Sequence, residues 1–181
     1  MEKVMLERGQ KISEKIVFID GLSGTGKSMI SALLGSFDGI ERMRIEHIYE
    51  YLCGLDYLGQ LSPDAGKMMM QAYADLAIYN SSISREVNFR PFDDSGLFNN
   101  PFFIRTLRRA FAQDGDIALA NIKKTSPILQ IVTHHILPAI GLAFRSFKEN
   151  FYLIEMVRHP VYVAYAWHCF GFDRYGTDSR E

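Results

Sequence analysis

Cysteine is scarce: Cys53 and Cys169 are the two present, too few for a disulfide framework and not in a metal-ligand spacing. Charge of one sign is not in excess either. Twenty Lys and Arg against 21 Asp and Glu leave a formal net charge of −1, which argues against a broad nucleic-acid or membrane surface and leaves only a local basic pocket. No apolar run approaches the length of a membrane span. The opening stretch MEKVMLERGQKISEK is charged where a secretory leader is apolar, so the cytoplasm is the expected compartment. Internal repeats and low-complexity tracts are missing as well. What remains is an ordinary globular composition, 48% apolar and 23% charged over 181 residues. That length fits one domain, 1–181, large enough to bury a sizeable core.

The informative stretch is KIVFIDGLSGTGKSMISALLGSF, from Lys15 to Phe37. Ile16 to Ile19 reads as a buried strand, ended by Asp20 and Gly21. The following Gly21-Leu22-Ser23-Gly24-Thr25-Gly26-Lys27-Ser28 fits the pattern G-x-x-x-x-G-K-[ST], and Met29 to Phe37 continues as an apolar-rich helix. Glycines at these positions let the backbone curl until successive N–H groups face an anion, and the helix start adds its partial positive charge. Lys27 supplies a mobile cation for a terminal phosphate or sulfate. The Ser28 hydroxyl suits a metal or an anionic oxygen.

The rest of the chain alternates between strand and helix patterns. IERMRIEHI, 40–48, reads as a second strand, with a helix over 49–58. Ser62 and Pro63 mark a helix start, with a long helix over 67–83 whose Met68-Met69-Met70 run reads as core filling. Residues 61–114 are expected to form a mostly helical insertion or lid. Within it, 85–100 lacks a clean period, and Asp93-Asp94 reads as a solvated turn rather than a cation site. A helix over 101–113 carries Arg105, Arg108 and Arg109, expected on a solvated face; 117–124 is ambiguous. Then PILQIVT (127–133) reads as a strand ending at His134-His135, 137–147 as a helix, and FYLIEMV (151–157) as a strand ending at Arg158-His159-Pro160. An apolar helix follows over 161–170. The alternation implies an α/β fold: a parallel sheet flanked by helices in three layers, of the P-loop NTPase type. Ligands in such sheets lie beyond the carboxyl ends of the strands, which here would carry the anion loop, His134 and Arg158.

A strand-end histidine suits proton transfer near neutral pH, and a strand-end arginine suits a bidentate grip on phosphate. A phosphoryl-transferring enzyme would instead be expected to hold a metal on an acidic residue at a strand end. With Ser23-Gly24-Thr25 in the loop, Thr133-His134 followed by Leu137-Pro138, and Arg158-His159-Pro160 before VYVAYAW, the chain resembles sulfotransferases that use 3′-phosphoadenosine 5′-phosphosulfate. The resemblance covers about 15–37 and 127–170. It implies a transferase moving a sulfuryl group to a hydroxyl or amine of a small-molecule or glycan-type acceptor. His134 would be the base, with Lys27 assisting catalysis. Leu22, Ser23, Gly24, Thr25, Gly26, Lys27 and Ser28 would hold the 5′-phosphosulfate, and Arg158 the 3′-phosphate; no metal is implied.

The chain departs from that pattern at several places. Leu22 stands where the family has a lysine, so Lys27 would replace it from further along the loop. Val132 stands for another lysine, and Ala166 for the serine that helps hold the 3′-phosphate. The chain ends at Glu181, before the family's C-terminal cofactor-binding segment, and a shortened chain is the expectation. His135 and His168 read as structural. The complete Gly26-Lys27-Ser28 ending suits a second class, a small-molecule or nucleotide kinase using ATP with magnesium. A third is a nucleotide-binding module without transfer activity.

Overall fold

The strand β1 (Lys15–Asp20) is buried along its length from Ile16 onward, as expected of an apolar run covered on both faces. It lies between β3 (Ile128–Val132) and β4 (Phe151–Glu155), with the two-residue β2 (Arg44–Ile45) beyond β3. All four strands are parallel, in the order β2-β3-β1-β4. Ile16 is in register with Leu129 on one side and Phe151 on the other; Ile19 sits between Val132 and Ile154. The computed structural model describes residues 6, 8, 9, 11–93, 95–99 and 102–171. Asp94, the helix start expected at Pro101 and the polar ending beyond Gly171 lie outside the described residues.

Alternation along the strands decides which helices cover which face. Ile16, Phe18, Leu129 and Ile131 point to one side, where α2 (His47–Tyr57), α3 (Pro63–Ser82) and α6 (Gly141–Phe147) pack through Tyr49, Met70, Ile78 and Leu142. Phe18 sits edge-on to both Tyr49 and Phe151, with ring centroids 5.4 and 5.0 Å apart. Ile19 and Val132 point the other way, toward Ile30 and Leu34 of α1 (Lys27–Leu34). Gln130 on that face is fully buried, and its side-chain amide donates to the Ser31 carbonyl at 3.2 Å. The architecture is therefore α/β, an all-parallel sheet flanked by helices. The order reverses between β3 and β1, so a crevice opens at their carboxyl ends.

Several elements differ from the sequence expectation. The strand expected over 40–48 shrinks to Arg44–Ile45 plus a single bridge from Ile40 to Ile128. Arg44 is drawn to Glu46 and Glu86, and the chain turns into α2 at His47. The helix expected over 137–147 splits into a 3-10 turn, Leu137–Ala139, and α6. Pro138 has no N–H to continue the first turn, and the Leu137 N–H is committed to a side chain. The ambiguous 117–124 is helical, within α5 (Asp116–Thr125). The expected 101–113 helix is shorter, α4 (Phe103–Arg109).

The solvated face expected for the α4 arginines is wrong for Arg109. Its guanidinium pairs with both oxygens of the buried Glu41, at 2.7 and 2.9 Å, which fastens α4 to the segment ahead of β2. A buried carboxylate needs such a partner, and the planar fork supplies two donors at once. Within the stretch read as an insertion or lid, α3 contributes Met70, Ala74 and Ile78 to the main core.

Candidate functional site

The turn between β1 and α1 has glycine where the backbone demands it. Gly21 and Gly24 adopt φ of 134° and 85°, in the region that favours glycine. A Cβ on Gly21 would stand 2.5 Å from the Met156 carbonyl oxygen, and one on Gly24 would press on Ala166 of α7 (Pro160–Phe170) at 3.2 Å. The loop is thus packed on both sides by the β4 end and by α7. Thr25 closes it from within, its hydroxyl donating to the Leu22 carbonyl at 2.7 Å.

Lys27 opens α1 and is almost fully buried. Its ammonium folds back on the loop, donating to the carbonyls of Gly21 at 2.5 Å and Leu22 at 3.0 Å. Burial lowers its pKa; the negative charges of Asp20, Glu50 and Glu155 partly offset that effect. Leu22 therefore serves through its carbonyl, as an acceptor for Lys27 and Thr25.

Two side chains reach the loop from the β4 end and α7. Arg158 donates to the Gly24 carbonyl at 2.8 Å, and its guanidinium carbon lies 5.7 Å from the centre of the Tyr162 ring. The Trp167 indole N–H donates to the Ser23 carbonyl at 2.7 Å. Pro160 in the first turn and His159 as cap, accepting from the Val161 N–H at 3.3 Å, fix where α7 begins. The Arg-x-Pro pattern at 158–160 thus aims the arginine and starts the helix at the same point.

His134 stands two residues past the end of β3. Both its backbone N–H and its Nδ1 lie against Glu50 Oε1 of α2, at 3.0 and 2.9 Å. Glu50 also meets His47 Nδ1 at 3.3 Å through Oε2. Burial would raise the Glu50 pKa, but the contacts with His134 and His47 outweigh it and hold the carboxyl below its ordinary value. In the tautomer that donates Nδ1–H to Glu50, His134 keeps a lone pair on Nε2. Just before it, the buried Thr133 donates its hydroxyl to Asp20 Oδ1 at 2.9 Å, and the Leu137 N–H donates to Asp20 Oδ2 at 3.0 Å. His135 is in the left-handed region, φ 56°, where the chain turns away from the sheet.

These parts surround one cleft of about 670 Å³, within the size range of small-molecule pockets. Ser23, Gly24, Thr25, Gly26, Lys27, Ser28, His134 and Arg158 all line it, joined by Tyr165, Ala166, Cys169 and Phe170 from α7. Of the residues expected from the sequence, only Leu22 is missing from the described lining. Asp20, Glu50 and Glu155 act on Lys27 without lining the cleft. Glu50, through His134, and Trp167, through the Ser23 carbonyl, join the site without having been expected from the sequence. The His47/Glu50 spacing of one helical turn was a signal for the first; for the indole there was none. In comparisons with family models, curated proteins and solved structures, no match to this chain was found.

Proposed function

We propose that this chain is a P-loop protein of the sulfotransferase type, moving a sulfuryl group from 3′-phosphoadenosine 5′-phosphosulfate to a hydroxyl or amine. The carrying observation is the shared cleft: the loop, Lys27, Arg158 and a carboxylate-held histidine meet around one space, with no Asp or Glu among its described lining residues. Such a lining suits a ligand with several negative charges. Lys27 and the loop residues Ser23 to Ser28 would hold the 5′-phosphosulfate, and Arg158 the 3′-phosphate. The bound nucleotide would supply the activated sulfuryl group. On the protein side, His134 takes the acceptor's proton at Nε2, and Glu50 fixes the ring and stabilises the imidazolium. Lys27, released from the Gly21 and Leu22 carbonyls, offsets charge on the transferring oxygens.

A kinase using ATP with magnesium is the second reading, favoured by the Gly26-Lys27-Ser28 ending and by Ser28 lining the cleft. Against it, Asp20 at the β1 end already accepts from Thr133 and Leu137. Calorimetric titration with 3′,5′-bisphosphoadenosine and with Mg-ATP at one salt concentration separates the two. Tighter binding of the bisphosphate, unaffected by EDTA, is expected. Preference for Mg-ATP, abolished by EDTA, would establish the kinase reading. Binding of the bisphosphate without transfer to any acceptor would leave a binding module.

A further inference from the structure

The Glu50 carboxylate lies between two imidazoles. His47 and Glu50 stand one turn apart on α2, and the end of β3 brings His134 to them. The two rings are stacked, with centroids 5.8 Å apart and planes inclined by 29°. One donor atom from each of the three residues falls within 4.8 Å of the other two, the only such group of three among the described residues. Carboxylate-to-Nδ1 separations are 2.9 Å for His134 and 3.3 Å for His47. Donors around a tetrahedral zinc ion, at bonds of about 2.0–2.2 Å, lie roughly 3.3–3.5 Å apart. Small rotations of the side chains would reach that spacing, and the exposure of His47 (56%) and His134 (37%) leaves room for them.

We propose that His47, Glu50 and His134 form a binding site for a divalent transition-metal ion of the zinc class. Two imidazoles and one carboxylate suit zinc, and also nickel or copper, far better than magnesium or calcium, which take oxygen donors. Three protein ligands leave a fourth position for water. Because the ion takes the Nδ1 lone pair of His134, the ring's proton moves to Nε2. A loaded site therefore cannot accept a proton at Nε2, and the metal acts as an inhibitor of the transfer described above. The binding claim stands on the three-residue geometry; only the inhibition rests on the proposed transfer.

The test is titration of the full chain with Zn²⁺ at neutral pH, without nucleotide, by calorimetry, with Co²⁺ absorption as a second probe. One ion per chain is expected. His47→Ala and Glu50→Gln should each weaken binding by at least the roughly 10–100-fold that loss of an outer partner costs a metal site. His47 is an exposed ring, so the metal-free melting temperature of His47→Ala should match that of the parent. Absence of Zn²⁺ binding would overturn the proposal. So would binding that survives both substitutions, or binding lost instead in Cys169→Ser, which would put the ion on α7. If Zn²⁺ binds as expected while no sulfuryl transfer occurs with or without it, the metal site stands and the transfer reading falls.

Discussion

Asp20 and Thr133 are 113 residues apart in sequence and share a hydrogen bond of 2.9 Å in the interior, carboxylate to hydroxyl. Both are fully buried, and the other Asp20 oxygen takes the Leu137 N–H. One carboxylate thus ties the end of β1, from which the 21–28 loop springs, to the segment that carries His134.

Asp20→Asn should destabilise the fold by about 1–3 kcal/mol, the range for a buried polar group deprived of its partner. An amide NH₂ cannot accept at both positions. Burial raises the Asp20 pKa, but hydrogen bonds from the backbone and Thr133 outweigh it, so the folded-state value lies below 3.8. Its contribution to stability is therefore present above pH 3.8 and lost as pH falls through the lower folded value. Urea unfolding as a function of pH checks this: the difference between parent and variant should shrink in strong acid.

Glu155, at the end of β4, has the opposite sign. Burial, and then the negative charge of Asp20, push its pKa above 4.5, so the folded state binds more protons than the unfolded chain and stability falls as pH rises past that value. One of its carboxylate oxygens is buried without a partner. Glu155→Gln should raise the melting temperature at pH 8 and leave it nearly unchanged at pH 4. A fall at both would show that the carboxylate is needed for packing.

Lys27→Ala should weaken 3′,5′-bisphosphoadenosine by about 1.5–3 kcal/mol, the range for a hydrogen bond to a charged group. A smaller loss of stability accompanies it, because the ammonium also holds the Gly21 and Leu22 carbonyls. Calorimetry and thermal unfolding on the same sample separate the two effects. Unchanged affinity would remove Lys27 from the ligand site.

Arg158→Lys keeps the charge and loses the planar fork. It should weaken 3′,5′-bisphosphoadenosine about tenfold, or 1.4 kcal/mol, and leave adenosine 5′-phosphosulfate, which has no 3′-phosphate, nearly unaffected. Equal losses for both ligands would mean that Arg158 acts by holding the Gly24 carbonyl.

Trp167→Phe removes the indole N–H that holds the Ser23 carbonyl while keeping an aromatic ring on α7. A stability loss of about 0.5–1.5 kcal/mol is expected, typical of one neutral hydrogen bond. Amide exchange should quicken in the loop rather than in the core strands. Uniform acceleration would instead mark Trp167 as part of the general packing.

The alternation of strand and helix, the glycine-rich turn after β1, and the positions of His134 and Arg158 shortly after β3 and β4 are legible in the order of the residues. These follow from local physics: an apolar run ends where polar turn residues begin, and the turn needs the positive φ that Gly21 and Gly24 adopt. Side-chain partners far apart in the chain are set by the folded arrangement instead. Glu50 comes to His134 from α2, Arg109 finds Glu41 instead of water, and Trp167 caps the Ser23 carbonyl, while Lys27, expected as a mobile cation, rests on the Gly21 and Leu22 carbonyls. No periodicity records such pairings, because a side chain's partner depends on where the sheet order and crossovers place another element. The second strand likewise stops at Ile45, where Arg44 pairs with Glu86, 42 residues away, and the chain leaves the sheet for α2.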